Sequence, residues 1–122
     1  MVAPDESLLR FVTSSFPSIW ALELLLALKR DPRWRSREEL VAALRASDLV
    51  VSNALDSLVA AGLASVGPEG AIYMPASDEV AAYVDDTEAL YAERPDSVRR
   101  AIVRAAGRGA SVFSDAFRLR RD

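Results

Sequence analysis

The sequence predicts a mainly helical domain with one small β-hairpin, an α+β fold, and three observations predict it. Apolar residues recur at helical spacing in successive windows, most of them opened by a Ser or a Pro that suits a helix start. Only one stretch, Leu63 to Met74, reads as paired strands, with Gly67-Pro68-Glu69-Gly70 dividing it as a turn. At 122 residues and 51% hydrophobic, the chain is long enough for one core and too short for two comfortable ones.

In chain order, residues 1–16 read as an N-terminal arm. Its first six residues, Met1 to Glu6, are acidic at the end and lack the basic segment and apolar run of a secretory signal, so a cytoplasmic protein is expected. Leu8, Leu9, Phe11 and Val12 suggest a short apolar helix that either caps the core or reaches another surface. Pro17 suits the first turn of the next helix, where a missing amide costs nothing. From Ile19 to Leu28 that helix is apolar around most of its circumference apart from Glu23, which predicts the central helix of the fold. Lys29-Arg30 complement its dipole and Asp31-Pro32 end it. Arg33-Trp34-Arg35 follow as a basic loop, with Trp34 expected as a lid on the core more than as a contact residue.

Ser36-Arg37-Glu38-Glu39 fits a capping box and predicts a helix through Ala46. Ser47-Asp48 is a second cap with an acidic first turn, so two short helices meet at a tight turn. In the second, Val51, Ala54, Leu55 and Leu58 make one stripe, and Gly62 stands where a left-handed C-terminal cap is needed. The hairpin strands follow. Pro75 closes this core segment, residues 17–75, for which Ile19, Leu22, Leu26, Leu40, Leu44, Val51, Leu55, Leu58, Leu63 and Ile72 are the expected core.

Residues 76–122 form a C-terminal helical extension, packed on the core or forming a dimer interface. Ser77 caps a helix through Glu93, and Pro95-Asp96-Ser97 opens another through residue 106. There Arg100, Arg104 and Arg108 line up at i, i+4, i+8 opposite Val98, Ile102 and Ala105. Gly107-Arg108-Gly109 is expected to break the chain before a last short helix, Ser111 to Phe117, and an end carrying Arg118, Arg120 and Arg121.

Leu44, Val51, Leu55, Leu58, Gly62-Leu63 and Gly70-Ala71-Ile72-Tyr73 resemble the core and wing of bacterial winged helix-turn-helix regulators, over about forty residues. The ending from Phe113 to Arg120 is similar to that of uncharacterised bacterial proteins grouped with transcriptional regulators. The resemblance implies a winged helix-turn-helix with additional C-terminal helices, whose second short helix is the docking element. That superfamily also contains members that bind proteins.

Cysteine and histidine are both absent, which removes thiolate and imidazole chemistry, and no phosphate-cradling Gly-rich loop is present. An enzyme is not expected, and no cofactor or metal is assigned. Residues 1–93 carry seven basic and fifteen acidic side chains, a net of −8, whereas residues 94–122 carry eight arginines against three aspartates, a net of +5. A membrane role is not expected of this basic face, which lacks Lys and Trp.

The expected function is sequence-specific duplex-DNA binding by a homodimeric transcriptional regulator. The DNA-contacting residues would be Arg35, Ser36, Arg37, Ser47, Val50, Ser52, Asn53, Ser57 and Gly70, with Arg100, Arg104, Arg108, Arg118, Arg120 and Arg121 as phosphate or partner contacts. The dimer is inferred from Leu8, Phe11, Tyr83, Leu90, Tyr91, Phe113 and Phe117, more apolar surface than one small core needs. The alternative is a protein-binding module acting through Leu49 and Val50, because residues 47–61 hold no Lys or Arg while Asp48 and Asp56 are acidic. Trp20, Tyr73, Tyr83 and Tyr91 are read as core aromatics in preference to a ligand pocket.

Overall fold

The computed structural model describes the backbone of residues 6–120 and the side chains of residues 6–108. Six helices and one two-stranded antiparallel sheet follow in the order α1 (Glu6–Ser15), α2 (Ile19–Arg30), α3 (Arg37–Leu44), α4 (Asp48–Ala60), β1 (Ala64–Gly67), β2 (Gly70–Tyr73), α5 (Asp78–Glu93) and α6 (Pro95–Arg120).

Four of these helices start on a serine, and for one reason. The hydroxyl oxygens of Ser18, Ser36, Ser47 and Ser77 accept from the amides of Ala21, Glu39, Val50 and Val80 at 3.1–3.2 Å, each satisfying one of the donors that a first turn leaves open. Because Ser18 is the cap of α2, Pro17 lies one residue before it and outside the first turn where the sequence placed it.

α2 is the centre of the molecule. Ala21, Leu22, Leu24, Leu25, Leu26 and Leu28 are all buried, and the helix packs against α3, α4, β2 and α6. Burying a leucine side chain stabilises the fold by roughly 1.5–3 kcal/mol, so this helix is the largest apolar contribution from any one element. At its C-terminal end Lys29 reaches Glu88 at 2.7 Å and Asp85 at 3.2 Å on α5.

α3 and α4 meet through Arg45, the one non-glycine residue with positive φ (53°) among the described residues, and Ala46 N–H closes back on the Val41 carbonyl at 3.3 Å. α4 buries Val51, Ala54, Leu55 and Leu58. It ends in a Schellman arrangement, with Leu63 N–H on the Leu58 carbonyl at 2.9 Å and Gly62 N–H on the Val59 carbonyl at 3.1 Å, which Gly62 permits at φ 74°.

β1 and β2 pair with Ala64 opposite Tyr73 and Gly67 opposite Gly70, leaving Pro68-Glu69 as a two-residue turn. Arg35 adds a single-residue third rung: its amide donates to the Ala71 carbonyl at 2.9 Å and its carbonyl accepts from Ala71 at 2.8 Å. Trp34 lies beside this hairpin, its ring facing Gly67, and is more than a third exposed, so it lids the wing and not the core.

Three expectations need correction. Ile72 is not in the core, because the register turns Ala71 inward (1% exposed) and puts Ile72 on the opposite face across from Ser65. Ile19 and Leu44 pack on the core at its edge and are half-buried. The chain does not break at Gly107 and Gly109: α6 continues through both, since an unobstructed glycine lowers helix stability by about 1 kcal/mol without forbidding the conformation. Of the two alternatives for α1, the structure has it capping the core. Leu8, Val12 and Phe16 join the same buried cluster as α2, Leu90 of α5 and Ile102 of α6, and Phe11 stacks on Tyr83 at 5.1 Å between ring centroids. One core therefore spans all three segments read from the sequence.

These contacts also account for most of the apolar surplus behind the dimer expectation, since Leu8, Leu90 and Tyr91 are buried within the one chain. The side chains of Phe113 and Phe117 lie outside the described residues. No single described helix is long and apolar enough to cross a membrane.

Candidate nucleic-acid interface

The turn at Arg45 and the cap at Ser47 set α4 across α2, and the stripe at Val51, Leu55 and Leu58 holds one face of it inward. The outward face carries Leu49, Asn53 and Asp56, exposed, with Val50, Ser52 and Ser57 half-buried at its flanks. The Asn53 and Ser52 side chains make no hydrogen bond among the described residues. Ser57 donates to the Asn53 carbonyl at 3.1 Å, and Ser36 and Ser47 use their oxygens as caps, so these three hydroxyls already serve the backbone.

Two residues expected at the interface carry structural work of their own. The Arg35 side chain is only 12% exposed; its Nη1 donates to the Ala27 carbonyl at 3.2 Å, while Nε lies 3.9 Å from Asp31 and 3.7 Å from Glu39. That guanidinium ties the loop to the last turns of α2, with Nε buried and without a hydrogen-bond partner. Gly70, at φ 121°, sits against the Arg35 carbonyl, which a Cβ at that position would strike. Its requirement for glycine comes from this close approach.

The remaining charges near α4 are few and mostly negative. Arg33 is bound to Glu39 at 2.9 Å and Asp31 at 3.1 Å, an arrangement that lowers the Glu39 carboxyl from its usual range chiefly through the Arg33 hydrogen bond. Arg37 at the start of α3 and Arg45 in the turn are exposed and make no ion pair among the described residues. Against these two cations stand Glu38, Asp48, Asp56 and, at the hairpin tip, Glu69, all exposed. A shallow cleft of about 290 Å³ separates the start of α3 from the hairpin, with Arg37, Glu38, Leu55, Val66 and Glu69 on its walls.

Among the described residues, the C-terminal arginines line a different groove. Arg100 and Arg104, with Arg94, border a groove lined by α1, the end of α5 and α6, and Arg108 borders its continuation along α1; neither lining includes a residue of α3 or α4. The side chains of Arg118, Arg120 and Arg121 lie outside the described residues.

One polar constellation escaped the sequence reading. Tyr91 donates to Glu23 Oε1 at 2.5 Å, and Arg99 donates to the Tyr91 oxygen at 3.2 Å with its guanidinium 5.4 Å from the ring centroid. Burial first, and then the Glu23 hydrogen bond, push the Tyr91 phenol above its usual range. The signal was Glu23 itself, the lone charge between Ile19 and Leu28. The four aromatics weighed as a pocket are dispersed: Trp20 lines a groove of about 550 Å³ with Glu23, Arg30, Leu44 and Arg99, and none of the three tyrosines lines it. Among the described residues no group of three or more acidic side chains is placed to hold a metal ion.

No family model, curated protein or solved structure matches the chain.

Proposed function

We propose that α2, the Arg35 rung, α3, α4 and the β1–β2 hairpin form a winged helix-turn-helix, and that the protein is a sequence-specific duplex-DNA-binding regulator of transcription acting as a homodimer, with α4 in the major groove. The order helix, single strand residue, helix, helix, hairpin supports the fold reading. The observation that carries the function is the Asn53 amide, exposed at the middle of α4 with its hydrogen-bonding groups unused. Such an amide donates to N7 and accepts from the N6 amino group of adenine, a pairing worth about 1–3 kcal/mol of discrimination.

Phosphate attraction is weak by comparison. Among the described residues, the two unpaired arginines beside α4, Arg37 and Arg45, correspond to a salt slope of about −1.8, or about −3.6 for a pair of copies. Affinity for random duplex is then low, base contacts carry most of the preference, and a second copy reading a two-fold-related half-site doubles both contributions.

Selection of bound fragments from a random duplex pool at low salt tests this reading. Enrichment of a two-fold-related sequence is expected, with Asn53→Ala losing about 1–3 kcal/mol on that site and nothing on random duplex. Failure to enrich any sequence at low salt discards it.

One observation favours a second reading. Leu49 is 69% exposed and Val59 is exposed on the same helix, beside Asp48 and Asp56 and with no cation on α4. Such a surface suits another protein of the transcription machinery. A purified partner whose binding is lost in Leu49→Asp and unchanged in Asn53→Ala would select it.

A further inference from the structure

The α1–α6 groove differs in character from the rest of the surface. Two adjoining concavities, of about 570 and 350 Å³, share Leu9, Ala101 and Arg104 and so form one channel from Arg94 to Arg108. Leu9, Leu90, Val98 and Ala101 make its floor, which is aliphatic throughout. Its rim is mainly cationic, the one carboxylate among its lining residues being Glu6, which pairs with Arg10 on α1 at 3.0 Å. Arg94, Arg100, Arg104 and Arg108 are all exposed and, among the described residues, none makes an ion pair or a side-chain hydrogen bond. Lys29, Arg30, Arg33 and Arg99, by contrast, each face a carboxylate.

Like charges at i, i+4 oppose helix formation by a few tenths of a kcal/mol per pair, and this row contains two such pairs in a chain that has acidic residues to spare. Fold stability therefore does not explain the row. A ligand of opposite charge does. Arg100, Arg104 and Arg108 are spaced by about 6 Å along the axis, which is also the spacing of carboxylates at i, i+4 on a facing helix.

We propose that this groove docks an acidic amphipathic helix of another protein, its apolar stripe on Leu9, Leu90, Val98 and Ala101 and its carboxylates on Arg94, Arg100 and Arg104. Single-stranded nucleic acid would use aromatic platforms for its bases, and the floor has none. A bilayer surface is met by protruding apolar side chains, whereas these are recessed. The chain's own acidic helix is a poor occupant in a second copy, because the fully exposed positions of α5 are Asp, Glu, Ala and no large apolar residue.

The test is fluorescence anisotropy with a labelled peptide of about five helical turns. It carries leucines at i, i+3, i+4 and i+7 flanked by glutamates, and a scrambled isomer of equal composition and charge serves as control. Binding at micromolar concentration is expected, about tenfold or more tighter than the scrambled isomer, with at least tenfold lost in Arg100→Glu/Arg104→Glu and no loss in Arg37→Glu. Circular dichroism checks the fold of each variant, and Arg100→Gln/Arg104→Gln replaces the reversal if that lowers the melting temperature. Equal binding of the scrambled isomer reduces the rim to unspecific ion exchange and overturns the proposal. So does a short duplex or an anionic phosphatidylserine vesicle that binds through Arg100 and Arg104 while the peptide does not, or a dimer in light scattering that the double variant dissolves.

Discussion

Gly70 and the backbone of Arg35 compete for one space: the Cβ that Gly70 lacks would overlap the Arg35 carbonyl and crowd the Cα of Ser36. This relationship holds the hairpin against the loop before α3. Gly70→Ala adds overpacking to a strained positive φ, and together these should cost about 2–4 kcal/mol. For a chain of this size the melting temperature should fall by roughly 10 °C, measured by circular dichroism. A shift below about 2 °C would show that the hairpin relaxes away freely.

Arg45 offers the opposite sign. Its left-handed φ of 53° carries a strain that glycine lacks, so Arg45→Gly should stabilise the fold by about 1 kcal/mol. If α4 docks on duplex DNA as proposed, the same change removes one of the two unpaired cations beside α4 among the described residues, and the salt slope of that binding should drop by about one unit per copy. Arg104→Ala, on the far groove, should leave that slope unchanged. Equal effects from the two would mean that α6 shares the proposed interface.

Leu58 is fully buried at the junction of α4 with α2, and Leu58→Ala should cost about 2–5 kcal/mol in urea unfolding. Ile72→Thr, on the outer face of β2, should cost less than about 1 kcal/mol. A reversal of that order would contradict the hairpin register.

Tyr91, Tyr73 and Lys29 each hold a proton more tightly in the folded chain than their ordinary values of 10.0, 10.0 and 10.5. Burial is the first cause for the two tyrosines, and the Glu88 hydrogen bond for Lys29. All three carry one sign: their stabilisation is full below the ordinary value and is lost as pH rises through the raised one. Stability measured by urea titration should therefore decline above pH of about 10. Tyr91→Phe should lower stability at neutral pH by about 1–2 kcal/mol, leaving Glu23 and Arg99 without their shared hydroxyl, and should flatten the alkaline decline without abolishing it.

What the sequence made legible was local. The caps at Ser36, Ser47 and Ser77 and the left-handed Gly62 depend on neighbours within a turn, and each was readable from spacing alone. Ile72 was not, because a four-residue strand with apolar side chains on both faces does not declare its register; Arg35 and Ala71 decide it, thirty-six positions apart. The direction of Arg35 was equally hidden, since a loop arginine reads the same whether it meets a phosphate or the Ala27 carbonyl. The face of α4 was legible residue by residue. What surrounds it was not: that Arg100, Arg104 and Arg108 line a groove beside α1 follows from how α1 packs on α6.

Arg35 joins three elements with one residue: its amide and carbonyl hold Ala71 of the hairpin, its guanidinium holds the end of α2, and Ser36 after it caps α3. The hairpin, the central helix and the start of α3 are accordingly tied to one another on both sides of the cleft through this one residue and its neighbour. Whatever docks on that surface meets a mould that is already set. The entropy of arranging it was lost during folding, and the work of bending or reshaping falls on the partner.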